Sequence, residues 1–528
     1  MRSLVSKSLA FSPEPVVRLE NYFRDPFDNA IATARTCYSP RVVTSEDVHK
    51  DEKSRQKRDE IAESIYKAGH HTTIQHSTFQ FILDRVSRQF IWSFLHSHPF
   101  YNSEQVSQRY VEVAPENFTV PGLEGRALEI YVSAIHVQMH AYKHLIEILD
   151  PVIRRQYGKI FPNRDPELKK WKSALKKRAQ EVARYVLPVA THAHLYHTVS
   201  GLTLHRYHKM VEQFDTPREQ KRVVRLMVEA VHEIDPLFFK HIEDPMPLEK
   251  TPEYSFFVSE NALEGVSSRE DFIGEFDRSL GPRTSRLADY KVNGQKSMAQ
   301  AVRAVLGVTE ESLSEKEALD LVMNPAKNPY FGEALNLTTL SKLTRTMVHP
   351  HFTFQKKISH TADSQDQRHR MTPASRPLLH RQFIPDRPDY LTPALIRESK
   401  EAEDFYQKTM NTVWEKITAL LNEGVEEEQA MYVLPNAFPI RFYESGDLLN
   451  HHHKWTKRLC YTAQEEIWSM CRDEVMQVSE IFPELGKYLL PPCGVRQLAG
   501  VRPYCPEGDR FCGVPVWKLP VEAFERAL

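Results

Sequence analysis

Cysteine is scarce, with six in 528 residues. That is too few for a disulfide framework in a chain of this size, which excludes the cross-linked secreted class and fits a reducing compartment. Long apolar runs are missing as well. None approaches the roughly 18 residues needed to span a bilayer, and Met1-Arg2-Ser3-Leu4 runs into a polar, Pro-containing stretch without a signal-peptide core. The expectation is a cytoplasmic protein with no membrane partner. Net charge is absent too: 69 basic residues stand against 70 acidic ones. No global field for nucleic acid exists, so any anion site must be local. What is present is 41% hydrophobic, 10% aromatic and 26% charged residues. This is a globular composition, in a chain long enough for two or more domains.

The strongest organisational signal is an internal duplication. Tyr185-Val186-Leu187-Pro188 recurs as Tyr432-Val433-Leu434-Pro435, an offset of 432 − 185 = 247. Upstream, His76-Ser77-Thr78-Phe79-Gln80-Phe81 with Ser87-Arg88 parallels His349-Pro350-His351-Phe352-Thr353-Phe354 with Ser359-His360. Each half places a long amphipathic helix before its Tyr-Val-Leu-Pro, over 125–150 and 397–423, and another helix after it. The expected organisation is a first domain over 1–258, a linker and divergent insertion over 259–340, a second domain over 341–485, and a Cys-, Pro- and Gly-containing tail over 486–528. Ser259, Asn261, Gly265, Ser267 and Ser268 interrupt the pattern at the boundary. In the first half, 56–69 reads as a helix ending at Gly69, Phe79-Gln80-Phe81-Ile82-Leu83 as a strand, and a helix starts near Ser87. Thr216-Pro217-Arg218-Glu219 has the residues of a capping box and opens a structural helix to about 233.

Two polar runs invite a ligand. In Gln365-Asp366-Gln367-Arg368-His369-Arg370, an extended backbone would send Arg368 and Arg370 to one side, and paired guanidinium forks suit a planar or phosphate-bearing anion. In Ser107-Gln108-Arg109-Tyr110 the same geometry would set a hydroxyl beside a guanidinium, a small phosphate site. Each run could equally be a solvated turn or strand edge. Arg184, just before its Tyr-Val-Leu-Pro, could anchor a surface carboxylate or a ligand.

The order His70 through Gln75-His76, Phe79 to Phe81, Ser87-Arg88, Ser107-Gln108-Arg109-Tyr110, a Leu-Pro segment and a final helix resembles the flavin-dependent thymidylate synthase family. The second half resembles it too, and the likeness covers about 20–235 and 340–485. The family hallmark is Arg-His-Arg, a spacer of about seven residues, then Ser-x-Arg-Tyr. Neither half keeps all of it. The first retains Ser107, Arg109 and Tyr110 but reads His96-Ser97-His98 for Arg-His-Arg; the second retains Arg368-His369-Arg370 but continues as Met371-Thr372-Pro373-Ala374-Ser375-Arg376-Pro377. Downstream, Arg184 fills the family's phosphate-binding Arg position in the first half and Met431 stands there in the second. Arg458 fills a later Arg position in the second half, where the first has Val211. Losses in one half fall where the other retains.

The resemblance implies an α+β fold: two homologous domains, each a mixed sheet packed with long helices. It implies FAD as cofactor, with Arg368, His369, Arg370 and His70 at the flavin, Ser107, Arg109 and Arg184 at the phosphate of dUMP, and Gln365 and Arg458 at its base. The implied reaction is methylation of dUMP to dTMP with methylenetetrahydrofolate and NADPH. Family enzymes are homotetramers with shared pockets, so a fused duplicate implies a homodimer forming a pseudo-tetramer, with one composite pocket class drawing on both halves. The competing reading is a silent or repurposed flavin- or nucleotide-binding relative, possibly with a structural zinc. Gln75, Ser200 and Asp447 depart from the family's residues. No enzyme cysteine attacks the base in this family, so Cys37 reads as a core thiol. His451, Lys454 and Arg458 share a helix face that could line the pocket, meet solvent or, within the His451-His452-His453 tract, bind metal. Cys493, Cys505 and Cys512 would make a zinc site with a fourth ligand such as one of His451–His453, but their spacing matches no common finger pattern and they read as free thiols.

Overall fold

The computed structural model describes residues 11–96, 100–212, 217–252, 254 and 268–526. Its contacts divide the chain into two compact units, and the halves of the sequence are not those units. The first comprises Met1–His136, Pro188–Val266 and Lys416–Leu434; the second comprises Val137–Leu187, Ser267–Glu415 and Pro435–Leu528. The segment ahead of each Tyr-Val-Leu-Pro is thus exchanged. The first half's Val137–Leu187 belongs to the second unit, and the second half's Lys416–Leu434 to the first.

Each unit is built on a four-stranded sheet. In the first, the spatial order is Val16–Tyr22, Thr78–Ser87, His192–Ser200, Tyr101–Gln105. In the second it is Ser285–Tyr290, His351–Ser359, Pro439–Asp447, Ala374–Ser375. Both sheets therefore follow the same topology, the third strand in sequence lying outside the fourth. All of these pairings are antiparallel, and sheets packed with helices give the α+β architecture that the resemblance implied. The stretch 259–340, expected as linker and insertion, supplies from Ser268 onward the helices Arg269–Leu280, Gly294–Leu306 and Glu315–Met323 and the edge strand Ser285–Tyr290 of the second sheet. Ser259, Asn261, Gly265, Ser267 and Thr216 lie outside the described residues.

Alternation places the strands. Phe79, Phe81 and Leu83 are fully buried on one face of Thr78–Ser87, and Phe352 and Phe354 repeat the pattern in His351–Ser359. Helix Glu52–Ala68 stops at Gly69, whose φ of 76° a side chain would disfavour. Arg218–Ile234 buries Val223, Val224, Met227 and Val231; its counterpart Glu465–Ile481, 465 − 218 = 247 residues later, buries Ile467, Met470, Val475 and Val478. Glu219, expected in a capping box, is instead fully buried and bonded to Ser87. Cys37 is exposed, not a core thiol. It occupies the C-cap of Pro26–Thr36, where the chain turns away from the core.

Candidate functional site

The Arg-His-Arg run is not extended. Strand His351–Ser359 passes into helix His360–Asp366, because the Ser359 hydroxyl accepts the Ala362 N–H and caps it. Gln365 and Asp366 therefore lie on the last helical turn, and Arg368, His369 and Arg370 on the turn after it, held by His369 N–H to Asp366 O at 2.9 Å. Arg368 is exposed, while His369 and Arg370 are half-buried.

Three predicted residues meet here. From the end of helix Leu448–Arg458, Arg458 donates its Nε–H to His369 Nε2 at 2.9 Å and an Nη2–H to Gln365 O at 2.9 Å. One guanidinium thereby fixes the ring and the helix end that carries it. Burial, and then the charges of Arg458 and Lys454, hold His369 well below the ordinary imidazole range. The ring is neutral, and because Nε2 accepts, the proton resides on Nδ1.

Beneath this turn lies a set of charges that sequence reasoning missed. Lys454 Nζ contacts Asp366 at 2.6 Å and Glu444 at 2.6 Å; Lys356 Nζ contacts Glu444 at 2.9 Å and Glu474 at 2.8 Å. All five side chains are at most 1% exposed. Burial would raise Glu444, but Lys356 and Lys454 hold it well below the carboxylate range, whereas burial and the neighbouring Glu444 raise Asp366. Asp366 thus ties the base of the turn to the helix that carries Arg458. The one available signal was charge on strand and helix positions that should be apolar, Lys356 and Glu444 among them. His451 and Lys454 accordingly do not line a pocket: both are fully buried, facing Glu444. His452 is buried and His453 exposed.

The second half's own sequel is used structurally. Arg376 grips Asp363 with Nε at 2.8 Å and Nη2 at 2.7 Å, a bidentate buried pair stacked over Phe442. Asp447 and Ser200, which depart from the family pattern, both cap helices, accepting from Asn450 N and Thr203 N.

In the first unit, Ser107, Gln108, Arg109 and Tyr110 form a turn after strand Tyr101–Gln105, not an extended run. The Ser107 hydroxyl accepts the Arg109 N–H at 3.2 Å, and the Arg109 guanidinium lies over the Tyr110 ring at 5.5 Å. His70 is exposed at the entry to the 3-10 turn His71–His76, which includes Gln75. Of His96-Ser97-His98, only His96 is among the described residues. Arg184, 4% exposed, belongs to the second unit, together with Gln365, Arg368, His369, Arg370 and Arg458. Its backbone carbonyl accepts from Asn436 Nδ2 at 3.0 Å.

Each Tyr-Val-Leu-Pro serves as a pin. Tyr185 donates to Glu466 at 2.6 Å, and Glu466 also accepts from the Ser359 N–H and hydroxyl, both at 2.5 Å. Tyr432 donates to Glu219 at 2.8 Å, and Glu219 accepts from the Ser87 N–H at 2.8 Å and hydroxyl at 2.5 Å. Each pin lies within one compact unit and joins segments from both sequence halves.

A duplicated antiparallel α+β chain, with a guanidinium-rich turn in one unit and a Ser-Arg turn in the other, defines a twin-domain class of protein. The comparisons give the family. The description "Thymidylate synthase complementing protein" matches residues 18–237 and again 286–484. The chain belongs to this family, the flavin-dependent thymidylate synthases. It is similar to the flavin-dependent thymidylate synthase of Saccharolobus solfataricus, 28% identical over 151 residues, covering 28% of this chain and 57% of the relative. That of Clostridium tetani is 26% identical over 228 residues, covering 43% of this chain and 85% of the relative. The matched region spans under three fifths of the archaeal relatives from Saccharolobus solfataricus and Sulfurisphaera tokodaii. Among solved structures, a UMP/dUMP methylase PolB from Streptomyces cacaoi bound with 5-Br dUMP is 15% identical, covering 43% of this chain and 94% of that one, with a TM-score of 0.30. Among the described residues no helix is long and apolar enough to cross a membrane.

Proposed function

We propose that this protein is an FAD-dependent methylase that converts dUMP to dTMP, taking carbon from methylenetetrahydrofolate and reducing equivalents from NADPH. The observation that carries the reading is the Arg458 fork on His369 and Gln365, in a chain matched twice to the family. The donor set suits a flavin. Arg368 and Arg370 are cations at a turn, and His369 is a neutral imidazole with its Nδ1–H to give, a combination that favours an anionic, planar group. When bound, the flavin supplies the hydride chemistry. The chain's own residues bind and orient: Gln365 and Arg458 are assigned to the base, and Ser107, Arg109 and Arg184 to the phosphate, with His70 as a further flavin contact.

One composite class of pocket follows from the pattern of losses. Met431 replaces the phosphate Arg in the second half, Val211 replaces the later Arg in the first, and Arg376 is committed to Asp363. Each half has therefore surrendered what the other holds. A homodimer would provide the family's four domains.

The test is the visible spectrum and turnover of purified protein. Yellow protein that makes dTMP from dUMP is expected; protein that stays colourless with added FAD would sink the reading. Arg368→Ala should release flavin, and Arg109→Ala should weaken nucleotide binding with flavin retained. The opposite pairing refutes the assignment of roles.

A further inference from the structure

Three of the four cysteines in question come from the tail beyond 485, and the fourth, Cys460, from the turn that follows helix Leu448–Arg458. Cys493 lies in the short helix Pro492–Leu498, while Cys505 and Cys512 flank the 3-10 turn Gly508–Arg510. All four line one cavity of about 30 Å³, all four are half-buried, and none forms a disulfide. The remaining wall is largely apolar, with Pro492, Val514 and Trp517. Cys493 lies close enough to Cys460, Cys505 and Cys512 to feel their charge, and Cys512 close enough to feel Cys460 and Cys505.

Such a convergence has a chemical meaning. Four sulfurs from points 33, 12 and 7 residues apart in the sequence (493 − 460, 505 − 493, 512 − 505) are gathered in a volume that holds one ion or one water. The surrounding chain has little regular structure of its own: one short helix and three 3-10 turns, with Leu489, Val495, Val516, Val521 and Phe524 as its buried apolar residues. A segment with so small a core gains order from a cross-link or a metal.

We propose that Cys460, Cys493, Cys505 and Cys512 form a structural tetrathiolate site for Zn²⁺ that staples the C-terminal tail to the end of helix Leu448–Arg458. On binding, each S–H bond gives its proton to solvent and a Zn–S bond forms, with no change in oxidation state. Among the described residues no three His, Cys, Asp or Glu side chains already stand in a ligating arrangement. Cys460 Sγ instead lies 3.1 Å from Thr462 Oγ1 and Cys512 Sγ 3.4 Å from Val514 O, and both must turn into the cavity to bind. Glu507, also on the wall, is the competing oxygen ligand and is poorly matched to a soft, sulfur-rich centre.

The test uses the full chain, purified without chelator. Elemental analysis should find about one zinc per chain. Cys493→Ser/Cys505→Ser should hold close to none, while Cys37→Ser, at the exposed thiol, keeps it. Should the double variant fail to fold, the wild type decides. Titrating its thiols with a mercurial should release zinc to a metallochromic dye, and Co²⁺ exchange should give the intense visible bands of a tetrahedral thiolate. Protein that holds no zinc and takes none from a buffered Zn²⁺ solution overturns the proposal. So does zinc retained by the folded double variant, a disulfide among the four, or iron with acid-labile sulfide in its place. Flavin content does not enter these outcomes, so they stand apart from the catalytic reading.

Discussion

Arg458 serves two acceptors with one planar fork, and that geometry makes its replacement informative. Lysine would keep the charge but cannot donate in parallel to His369 Nε2 and Gln365 O. Arg458→Lys and Arg458→Ala should therefore both lower kcat, by about a hundredfold for the alanine, the scale seen when an oriented donor is lost from a site. Steady-state kinetics checks this, and a lysine variant at wild-type rate would refute the positioning argument. The same contact sets the imidazole's charge. His369 is held below 6.5 by burial and by Arg458, so its contribution to stability is present above pH 6.5 and lost as pH falls through the lowered value. The individual members of this group were legible as residue types at motif positions. What lies beneath them was not, because the pairing of Lys454 with Asp366 and Glu444 is a tertiary contact between a helix, a turn and a strand.

Among the elements, the two serine–glutamate–tyrosine pins join a strand end, a helix start and a Tyr-Val-Leu-Pro turn. Burial raises Glu219 to about 7 despite three donors. A raised pKa means the folded state holds its proton more tightly than the unfolded chain. Its contribution is complete below the ordinary 4.5 and lost as pH rises through about 7, a span worth on the order of 3 kcal/mol. Glu219→Gln, which cannot ionise, should flatten the fall in thermal midpoint between pH 5 and 8. Melting curves of both proteins across that range check it; parallel curves would show that Glu219 is already ionised at low pH. Sequence pattern found most of these elements. Gly69, the alternating phenylalanines and the paired tetrapeptides all stand where local rules place them. It misread the polar turns at 107–110 and 365–370, because alternation in a short polar run carries no burial signal to separate strand from turn. It also misread Glu219 as a cap, because a Ser/Thr-Pro-x-Glu pattern looks the same whether its Glu faces back to the helix or into the core.

At the scale of the whole molecule, the duplication is not two beads on a string. Val137–Leu187, from the first half of the sequence, belongs to the second compact unit, and Lys416–Leu434, from the second half, belongs to the first. Backbone bonds follow the exchange: Asn436 N–H to Leu187 O at 2.8 Å and Ala437 N–H to Tyr185 O at 2.9 Å in one unit, Ala190 N–H to Tyr432 O at 2.9 Å and Val189 N–H to Leu434 O at 2.9 Å in the other. A fragment ending at 258 would thus carry Tyr185 without Glu466, and Glu219 without Tyr432. The first loss leaves the buried Tyr185 hydroxyl without its acceptor, at about 1–3 kcal/mol before the apolar surface of the missing helix is counted, and the second leaves Glu219 with Ser87 alone. Residues 1–258 expressed alone should be insoluble or molten, and so should 259–528. Co-expressed, the two fragments should purify together as a soluble complex, since the cut falls between segments and breaks none of these bonds. Affinity tagging of one fragment and size-exclusion chromatography checks this. A stably folded, monomeric 1–258 would mean that the exchanged segments can return to their own half, and that the fused chain is a choice of connectivity and not a requirement of folding.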